Sequence, residues 1–543
     1  MADKPQKTVV IDVVGLTRSL ISSEYTPFLH GYLRQPDVTS RDIEPTFPAI
    51  TCPAQSTYFS GTGPAAHGIT ANGFYDRSYC EVKNWHQSSK IVKTPRIWHA
   101  LKARHPDATV FVNGLWHGMH DADIDYFINV RPQYLHNGGK VADIYTHPAG
   151  LREELQGSLG TFPLHRFWGP STSIESSRWT ANASMAVDRD HDPTLTLIYL
   201  PHLDYSLQKC GPPRPMAGGA GKDPVSDDAE QRVNSDLTEI DKLLEELVGY
   251  YESARAKVVM LSEYAISRVE VPVYLNRVLR EEGMVRVRTE NGGETLDCGE
   301  CRAFALCDHQ VAHIHVRYPA DIPSVRRMLE KTPGVEKVMD GSELDAYYRS
   351  KGSREEGRLA APGEGRRAAD PRGAHDPDRS GELIAISEPN SWFAYYYWMD
   401  DAMAPDFARC VAIHRKPGYD PAEMFFRYPG LRGFAWLLLK LFLAYGLKLR
   451  AIVDATPLRC DGIKGSHGRL PDGDGDPRPL LTGEARQGAC VERGGEVAVD
   501  VGGVVPGVGA GGELGREECA GKSGVVVAED VFEILWRVLS REI

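Results

Sequence analysis

Short apolar runs alternate along the chain with longer segments whose apolar residues recur at helical spacing. The runs that predict strands are residues 8–13, 108–113, 195–200 and 257–261. Helical spacing is found at residues 95–103, 148–155, 173–187 and 227–254. A strand that is covered on both faces is apolar almost throughout, so this alternation predicts βαβ units around a parallel sheet. The expected fold class is α/β, a three-layer α/β/α sandwich.

The pattern changes after residue 265, where further strands are predicted at residues 284–288, 303–306, 311–316 and 383–387. We interpret residues 266–409 as a smaller α/β subdomain inserted between two parts of the core. The first part is then 1–265 and the second is 410–477, with a C-terminal helix in 529–543. Two stretches fit neither pattern: 351–379 is rich in Gly, Ala, Arg and Pro, and 478–528 is rich in Gly and Val. We expect both to be loops or disordered; a locally shifted reading frame is an alternative hypothesis for them.

Composition limits the classes of function. The 62 Lys and Arg against 74 Asp and Glu give a formal net charge of −12, which argues against binding to a nucleic acid polymer. Ten Cys in 543 residues do not form a disulfide scaffold, and the first residues lack the apolar region of a signal peptide. We therefore expect a cytoplasmic protein. Residues 431–449 are apolar enough to suggest a membrane span, but Lys440 at their centre favours a mostly buried helix instead.

Three acidic residues stand at the carboxyl ends of predicted strands, where ligands bind in open α/β sheets. They are Asp12, Asp204 and Glu263. Each alone could be a surface carboxylate or a helix N-cap. Three such groups converging on one edge would repel one another, and a divalent metal ion resolves that repulsion. The pattern therefore predicts a metal site at this edge.

A second candidate is the segment FPAITCPAQSTYFSGTGPAAHGITANGFYDR, residues 47–77. Pro48 and Pro53 flank Thr51, and residues 54–60 can form a short helix. Thr51 would then lie near a helix N-terminus, which favours an incoming phosphate and a developing alkoxide. The alternative is that Thr51 is a plain N-cap.

This segment resembles the nucleophile region of the alkaline phosphatase superfamily, in the branch of type I phosphodiesterases and nucleotide pyrophosphatases. The matching positions are Phe47, Pro48, Thr51, Pro53, Gly61, Pro64, His67, Gly68 and Ile69. The resemblance implies the alkaline phosphatase type of fold and a covalent nucleophile, Thr51, that is also a metal ligand. It further implies that Asn72 donates a hydrogen bond to a phosphoryl oxygen. Asp12 and His467 match the first metal-binding Asp and the last metal-binding His of the family.

The chain departs from the family at two metal-binding positions. Gln208 replaces the His that follows Asp204, and Glu263–Tyr264 replaces an Asp–His pair. The ligand set that the resemblance implies is Asp12, Thr51, Asp204, Gln208, Glu263 and His467. It is rich in oxygen, which moves the expected preference from Zn²⁺ toward Mn²⁺, Mg²⁺ or Ca²⁺. Tyr264, His202, His309 and His313 are possible additional site residues, and the expected cofactor is a pair of divalent ions.

These features predict a metal-dependent phosphoric ester hydrolase that acts through a phospho-threonine on a small phosphorylated substrate. The alternative is a divergent member of the same fold that binds a metal or a phosphorylated ligand without turnover, because Gln208 and Tyr264 are poor substitutes for His. The sequence predicts no membrane span. It fixes neither the substrate nor the oligomeric state.

Overall fold

The computed structural model describes residues 4–136, 139–213, 227–352, 373–428, 430–447, 453–473, 475–484 and 525–541. In chain order the strands are β1 (Thr8–Val13), β2 (Val38–Glu44), β3 (Gly73–Asp76), β4 (Glu81–Asn84), β5 (Val110–Asn113), β6 (Tyr126–Val130), β7 (Gln133–Tyr134), β8 (Lys140–Val141), β9 (Ile144–His147), β10 (Leu195–Leu200), β11 (Lys257–Leu261), β12 (Ser267–Arg268), β13 (Val271–Val273), β14 (Val287–Glu290), β15 (Gly293–Leu296), β16 (Ala303–Asp308), β17 (Val311–Val316), β18 (Val335–Met339), β19 (Leu383–Ser387), β20 (Ser391–Phe393), β21 (Gly465–Ser466), β22 (Leu480–Glu484) and β23 (Val525–Val527). The α-helices are α1 (Pro27–Tyr32), α2 (Thr51–Ser60), α3 (Pro64–His67), α4 (Ile97–Arg104), α5 (Leu151–Leu159), α6 (Leu164–Phe167), α7 (Glu175–His191), α8 (His202–Cys210), α9 (Asp227–Ser253), α10 (Leu275–Glu281), α11 (Ile322–Glu330), α12 (Gly341–Gly352), α13 (Gly430–Leu441) and α14 (Asp530–Ser540).

The central sheet has nine strands in the order β23–β2–β22–β11–β1–β10–β5–β6–β9. Its middle strands β11, β1, β10, β5 and β6 are parallel, as the alternation of strands and helices predicts. One helix group surrounds α9, which contacts α1, α7 and α8, while α2 and α14 pack together as a second group. The fold is a three-layer α/β/α sandwich, which confirms the predicted α/β class.

A second, antiparallel sheet has the order β16–β17–β19–β18, and all its strands lie within residues 266–409. It has its own apolar core, which includes Leu275, Phe304 and Trp392. The turn between β16 and β17 reaches the central sheet's loops, because the backbone N–H of Gln310 donates to the carbonyl of His467. The turn between β16 and β17 therefore lies next to His467.

The expectation that residues 478–528 form no packed element is wrong at both ends of that range. β22 pairs with β2 and β11, and β23 pairs with β2, so both belong to the central sheet. In β22 the consecutive residues Leu480, Leu481 and Thr482 are all buried, and β23 consists of three valines, which favour strands. The Gly-rich composition beside these short strands hides both of them. Residues 485–524 lie outside the described residues.

The range 351–379 is also partly structured. Residues 351–352 end α12, and Asp376 is buried in an ion pair with Lys93 (Nζ–Oδ2 2.6 Å). Nearby, the guanidinium of Arg379 donates to the carbonyls of Gly68 and Ile91 (2.6 Å each). These contacts hold residues 376–379 against the segment that follows α2. Residues 353–372 lie outside the described residues.

The described part of the apolar segment 431–449, which ends at residue 447, is largely exposed, so the expectation of a mostly buried helix is wrong. Its described part forms α13 and a π-helical turn over Phe442–Gly446, and Leu431 and Phe442 are 86% and 57% exposed. Lys440 does not extend into solvent but pairs with Asp454 (Nζ–Oδ1 2.9 Å). In the described part of the chain, no helix combines the length and hydropathy that crossing a bilayer requires.

Candidate active site

Three adjacent parallel strands carry the predicted acidic residues to one edge of the central sheet. Asp12 is the fifth residue of β1, and its register partners are Tyr199 on β10 and Leu261 on β11. β10 leads into α8, whose first turn holds Asp204, and β11 is followed by Glu263. All three carboxyl groups are buried. The structure thus brings together the groups that the strand-end pattern predicts.

Asp12 and Glu263 are neighbouring buried carboxyl groups, and most of their oxygens have no hydrogen-bond donor in the described part of the chain. Among the described residues, no hydrogen-bond donor reaches either carboxylate oxygen of Asp12 or Oε2 of Glu263. Gln55, one helical turn after Thr51, donates to Oε1 of Glu263 (2.8 Å). Burial raises the pKa of Asp12 to about 7, and burial together with the Asp12 charge raises the pKa of Glu263 well above its usual value. Buried carboxylate oxygens without donors are expensive, so this pair fits a cation.

Thr51 is the first residue of α2 and lies beside this pair. Its hydroxyl contacts the hydroxyl of Tyr264 (Oγ1–Oη 3.1 Å) and lies close enough to Glu263 to lower the pKa of that carboxyl group against the effect of burial. The helix begins at Thr51 because Ile50 is extended and Ala54 N–H donates to the Ile50 carbonyl. A helix N-terminus exposes backbone N–H groups toward an anion. Thr51 is therefore placed between a predicted cation and a predicted phosphate position.

Asn72 is tied to the start of α2 and to the inserted part of the chain. Its Oδ1 accepts from the backbone N–H of Cys52 (3.0 Å), and its Nδ2 donates to Oδ1 of Asp308 (3.2 Å). The backbone N–H of Asn72 also donates to Asp308, at Oδ2 (2.9 Å). An amide NH₂ has two hydrogens, so one can serve Asp308 while the other serves a ligand. The hydrogen bonds to Asp308 hold the Asn72 side chain in place, and the sequence alone does not reveal them.

Asp204, Gln208 and His467 are also brought together, but their polar atoms are largely used. Gln208 Nε2 donates to Oδ2 of Asp204 (2.9 Å), and the Tyr264 hydroxyl donates to Oδ1 (3.3 Å). His467 Nδ1 donates to the carbonyl of Ala49 (2.8 Å), so its Nε2 is the unprotonated nitrogen and lies 3.9 Å from Oδ1 of Asp204. Burial lowers the pKa of His467 well below its usual value and keeps the ring neutral. This orientation is typical of a ligating imidazole.

The three other histidines have different surroundings. His309 lies in the site, with Nδ1 against Oδ1 of Asp308 (2.7 Å) and its ring next to that of His467. His313 donates from Nε2 to the Thr70 carbonyl (3.1 Å) and accepts at Nδ1 from Gly381 N–H (3.2 Å), so both nitrogens are used elsewhere. His202 faces α9, with Nε2 3.4 Å from Asp236. The structure thus groups His309 with the site, and His202 and His313 with other parts of the fold.

Two other clusters of His, Asp and Glu side chains in the described chain, both away from Thr51, have ligand atoms close enough together to hold a metal ion. Two sets of three His, Asp or Glu ligand atoms lie within 4.8 Å of one another: His99–Asp121–Asp123 and His202–Asp236–Glu239. In the first, the guanidinium of Arg96 already pairs with Asp121, and in the second Arg232 Nε pairs with Asp236 (2.9 Å). Both sets therefore contain a carboxylate that an arginine already neutralises.

Two site residues escape sequence reasoning. Tyr419, whose hydroxyl donates to Gln208 Oε1, comes from a loop near residue 420 that carries no recognisable motif. Gln55 offers a weak signal, because its position four residues after Thr51 puts both side chains on one helix face.

A threonine hydroxyl at a helix N-terminus beside buried carboxyl groups, on this fold, fits the class of alkaline phosphatase-like hydrolases. Residues 8–420 match the family model of type I phosphodiesterase/nucleotide pyrophosphatase. The chain therefore belongs to this family, whose members are hydrolases of phosphoric ester and anhydride bonds and depend on metal ions, typically zinc. The resemblance seen at residues 47–69 is confirmed.

Individual relatives are distant. Ectonucleotide pyrophosphatase/phosphodiesterase 1 of Saccharomyces cerevisiae is 38% identical over 98 residues, which are 17% of this chain and 12% of that protein. The structure of murine ectonucleotide pyrophosphatase/phosphodiesterase 5 aligns with a TM-score of 0.50 at 13% identity, covering 98% of this chain and 95% of the other. The structure of human ectonucleotide pyrophosphatase/phosphodiesterase 5 aligns with a TM-score of 0.51 at 12% identity, and the alignment again covers 98% of this chain and 95% of the other. These alignments support the fold.

Proposed function

We propose that this chain is a divalent-metal-dependent phosphoric ester hydrolase that works through a covalent phospho-threonine at Thr51. The observation that carries the proposal is the position of the Thr51 hydroxyl, beside the unpaired oxygens of Asp12 and Glu263 and at the N-terminus of α2. A threonine hydroxyl is a weak nucleophile by itself and needs such surroundings. By resemblance to the family, Asp204, Gln208 and His467 correspond to the binding position of a second metal ion.

The residues divide the reaction as follows. Asp12, Glu263 and Thr51 would hold the ion, which when bound lowers the pKa of the Thr51 hydroxyl and offsets charge on the phosphoryl oxygens. Thr51 attacks phosphorus while the bond to the leaving alcohol breaks, and water later cleaves the phospho-threonine. The N–H groups of α2 and the amide of Asn72 bind phosphoryl oxygens, and Asp308 keeps that amide in place.

We further propose that the substrate is a small phosphodiester or nucleotide. One murine structure of the related phosphodiesterase 5 is an inactive threonine-to-alanine variant in complex with AMP. A bound cation also explains how a chain with a net charge of −12 accepts an anion, because the ion reverses the local field.

A metal and substrate panel tests this function. We expect an aryl phosphodiester to be hydrolysed faster than the matching monoester, with Mn²⁺ or Mg²⁺ supporting at least as much activity as Zn²⁺, because carboxylate and hydroxyl oxygens dominate the ligand set. Strong activity with Zn²⁺ alone would contradict the preference for harder ions. A folded protein without turnover in any ion would instead support the non-catalytic binder, the alternative that Gln208 and Tyr264 suggest.

The pH dependence of metal binding provides a separate prediction. A carboxyl group must lose its proton to bind a cation, and burial raises the pKa of Asp12 to about 7. Protons therefore compete with the ion below pH 7 and release it as the pH falls. We expect Mn²⁺ to raise the Tm of chelator-treated protein more at pH 8 than at pH 5, as measured by scanning calorimetry. An equal increase at both pH values would show that ion binding does not require Asp12 and Glu263 to lose their protons.

A further inference from the structure

A closed ring of side chains occupies the region of Asp204, Gln208 and His467. Four aromatic rings lie next to one another in the order Tyr264, His467, His309 and Tyr419, with centroid separations of 3.6, 3.8 and 3.6 Å. The two outer pairs are stacked, and the two histidine rings between them are tilted by 39°. The Tyr264 hydroxyl donates a hydrogen bond to the carboxylate of Asp204, and the Tyr419 hydroxyl is linked to the same carboxylate through Gln208. We call these six residues the tyrosine–histidine ring: Asp204, Gln208, Tyr264, His309, Tyr419 and His467.

One side of the ring passes through Tyr264. Its ring lies nearly parallel to that of His467, at an interplanar angle of 7°. Its hydroxyl lies between Oγ1 of Thr51 (3.1 Å) and Oδ1 of Asp204 (3.3 Å). Tyr264 therefore connects the nucleophile directly to the carboxylate that would otherwise be free for an ion.

The other side passes through Tyr419. Its ring lies against His309 at an angle of 19°, and its hydroxyl donates to Oε1 of Gln208. This contact fixes the orientation of the Gln208 amide, so that Nε2 rather than the carbonyl oxygen faces Oδ2 of Asp204 (2.9 Å). An amide nitrogen donates hydrogen bonds and does not ligate a cation. Gln208 thus satisfies Asp204 instead of joining it as a ligand.

The carboxyl groups of Asp12 and Glu263 differ from that of Asp204 in how many of their oxygens accept hydrogen bonds. At Asp12 and Glu263, three carboxylate oxygens have no donor among the described residues, whereas both oxygens of Asp204 accept hydrogen bonds from the ring. His467 Nε2 is a buried ligand atom without a hydrogen-bond partner in the described chain. An ion at this position would have to break two hydrogen bonds and separate a stack.

We propose that the chain binds one divalent ion, at Asp12, Thr51 and Glu263, and that the tyrosine–histidine ring replaces the second. The inference rests on the proposed function for the role of Thr51. In the ring, the Tyr264 hydroxyl donates its one hydrogen to Asp204 and accepts from the Thr51 hydroxyl, so a neutral hydrogen bond orients Oγ1 of Thr51 where a second ion would supply charge. Tyr264 is then a positioning residue for the nucleophile.

Metal content tests the proposal without relying on activity. The full chain is stripped with chelator, equilibrated with excess Mn²⁺, freed of unbound ion and analysed by inductively coupled plasma mass spectrometry. One ion per chain, with the electron paramagnetic resonance spectrum of an isolated Mn²⁺, supports the proposal. No ion, or two ions with the spectrum of a coupled pair, overturns it.

Variants locate the bound ion and test the ring. Asp12→Asn should lose the ion and Asp204→Asn should keep it; the reverse result overturns the proposal. The double variant Gln208→His/Tyr264→His opens the ring and should bind two ions, while the matched exposed pair Gln35→His/Tyr79→His should still bind one. A folded double variant that remains at one ion would show that the ring does not exclude the second.

These results separate the inference from the proposed function. A protein that hydrolyses the diester but contains two ions refutes the ring proposal and leaves the function intact. A protein that binds one ion but has no turnover, with Thr51→Ala binding the diester as well as the unchanged chain does, refutes the function and leaves the ring proposal intact.

Discussion

Replacement of Thr51 by alanine is expected to lower kcat for an aryl phosphodiester by about a thousandfold or more, because removal of a covalent nucleophile removes the route itself. The remaining rate would come from binding and from the N–H groups of α2. The variant should fold, because alanine is compatible with the start of α2 and the change removes only one methyl group and the hydroxyl that faces Tyr264 and Glu263. Steady-state hydrolysis and circular dichroism together measure both effects.

Two further variants make this result specific. Thr51→Ser keeps a hydroxyl at the same position and should retain measurable turnover, whereas Thr62→Ala, just beyond the same helix, should behave like the unchanged chain. Full activity in Thr51→Ala would rule out Thr51 as the nucleophile.

Replacement of Lys416 by methionine is expected to lower the free energy of unfolding by about 3–5 kcal/mol, the usual cost of removing one partner from a buried ion pair. Lys416 Nζ lies 2.7 Å from Asp420 and 2.7 Å from Glu423, and all three side chains are at most 2% exposed. Burial opposes the charged amine, but the two carboxylates more than compensate and raise the pKa of Lys416. Without the amine, two buried carboxylates remain near Tyr419 and destabilise that loop.

Denaturant unfolding measures this effect, and two variants serve as controls. Lys83→Met removes the more exposed pair with Glu81 and should change stability by less than about 1 kcal/mol. The triple variant Lys416→Met/Asp420→Asn/Glu423→Gln removes the charges together and should recover much of the loss. A cost below about 1 kcal/mol for Lys416→Met would mean that the carboxylates find other partners.

Local pattern was sufficient for the core strands. β1, β10 and β11 begin and end where their apolar runs predict, because strands buried on both faces leave a continuous apolar signal. β22 and β23 were missed since each is short and joined to a stretch of atypical composition. The exposure of α13 also could not be predicted, because an apolar helical pattern does not show what, if anything, covers it.

In the candidate active site, too, some residues could be predicted from local sequence and others could not. The carboxylates and Thr51 could be predicted because each follows directly from a strand end or a helix start. Tyr419 and Asp308 lie more than 200 residues away from Thr51 along the chain, and only folding brings them to Gln208 and Asn72. His309 follows from the sequence as a possible site residue, and folding places its ring next to that of His467. The sequence does show that Gln208 and Tyr264 replace histidines. Their joint effect, a ring closed around Asp204, depends on rings and donors that only the fold places together.

The stereochemical course at phosphorus tests the central claim most directly, and it does not require the intermediate to accumulate. The measurement follows hydrolysis of an aryl phosphorothioate diester of one configuration in ¹⁸O-labelled water. Two successive in-line displacements, the first by Thr51 and the second by water, give net retention. Direct attack by water gives inversion. We expect retention; inversion would contradict a phospho-threonine at Thr51.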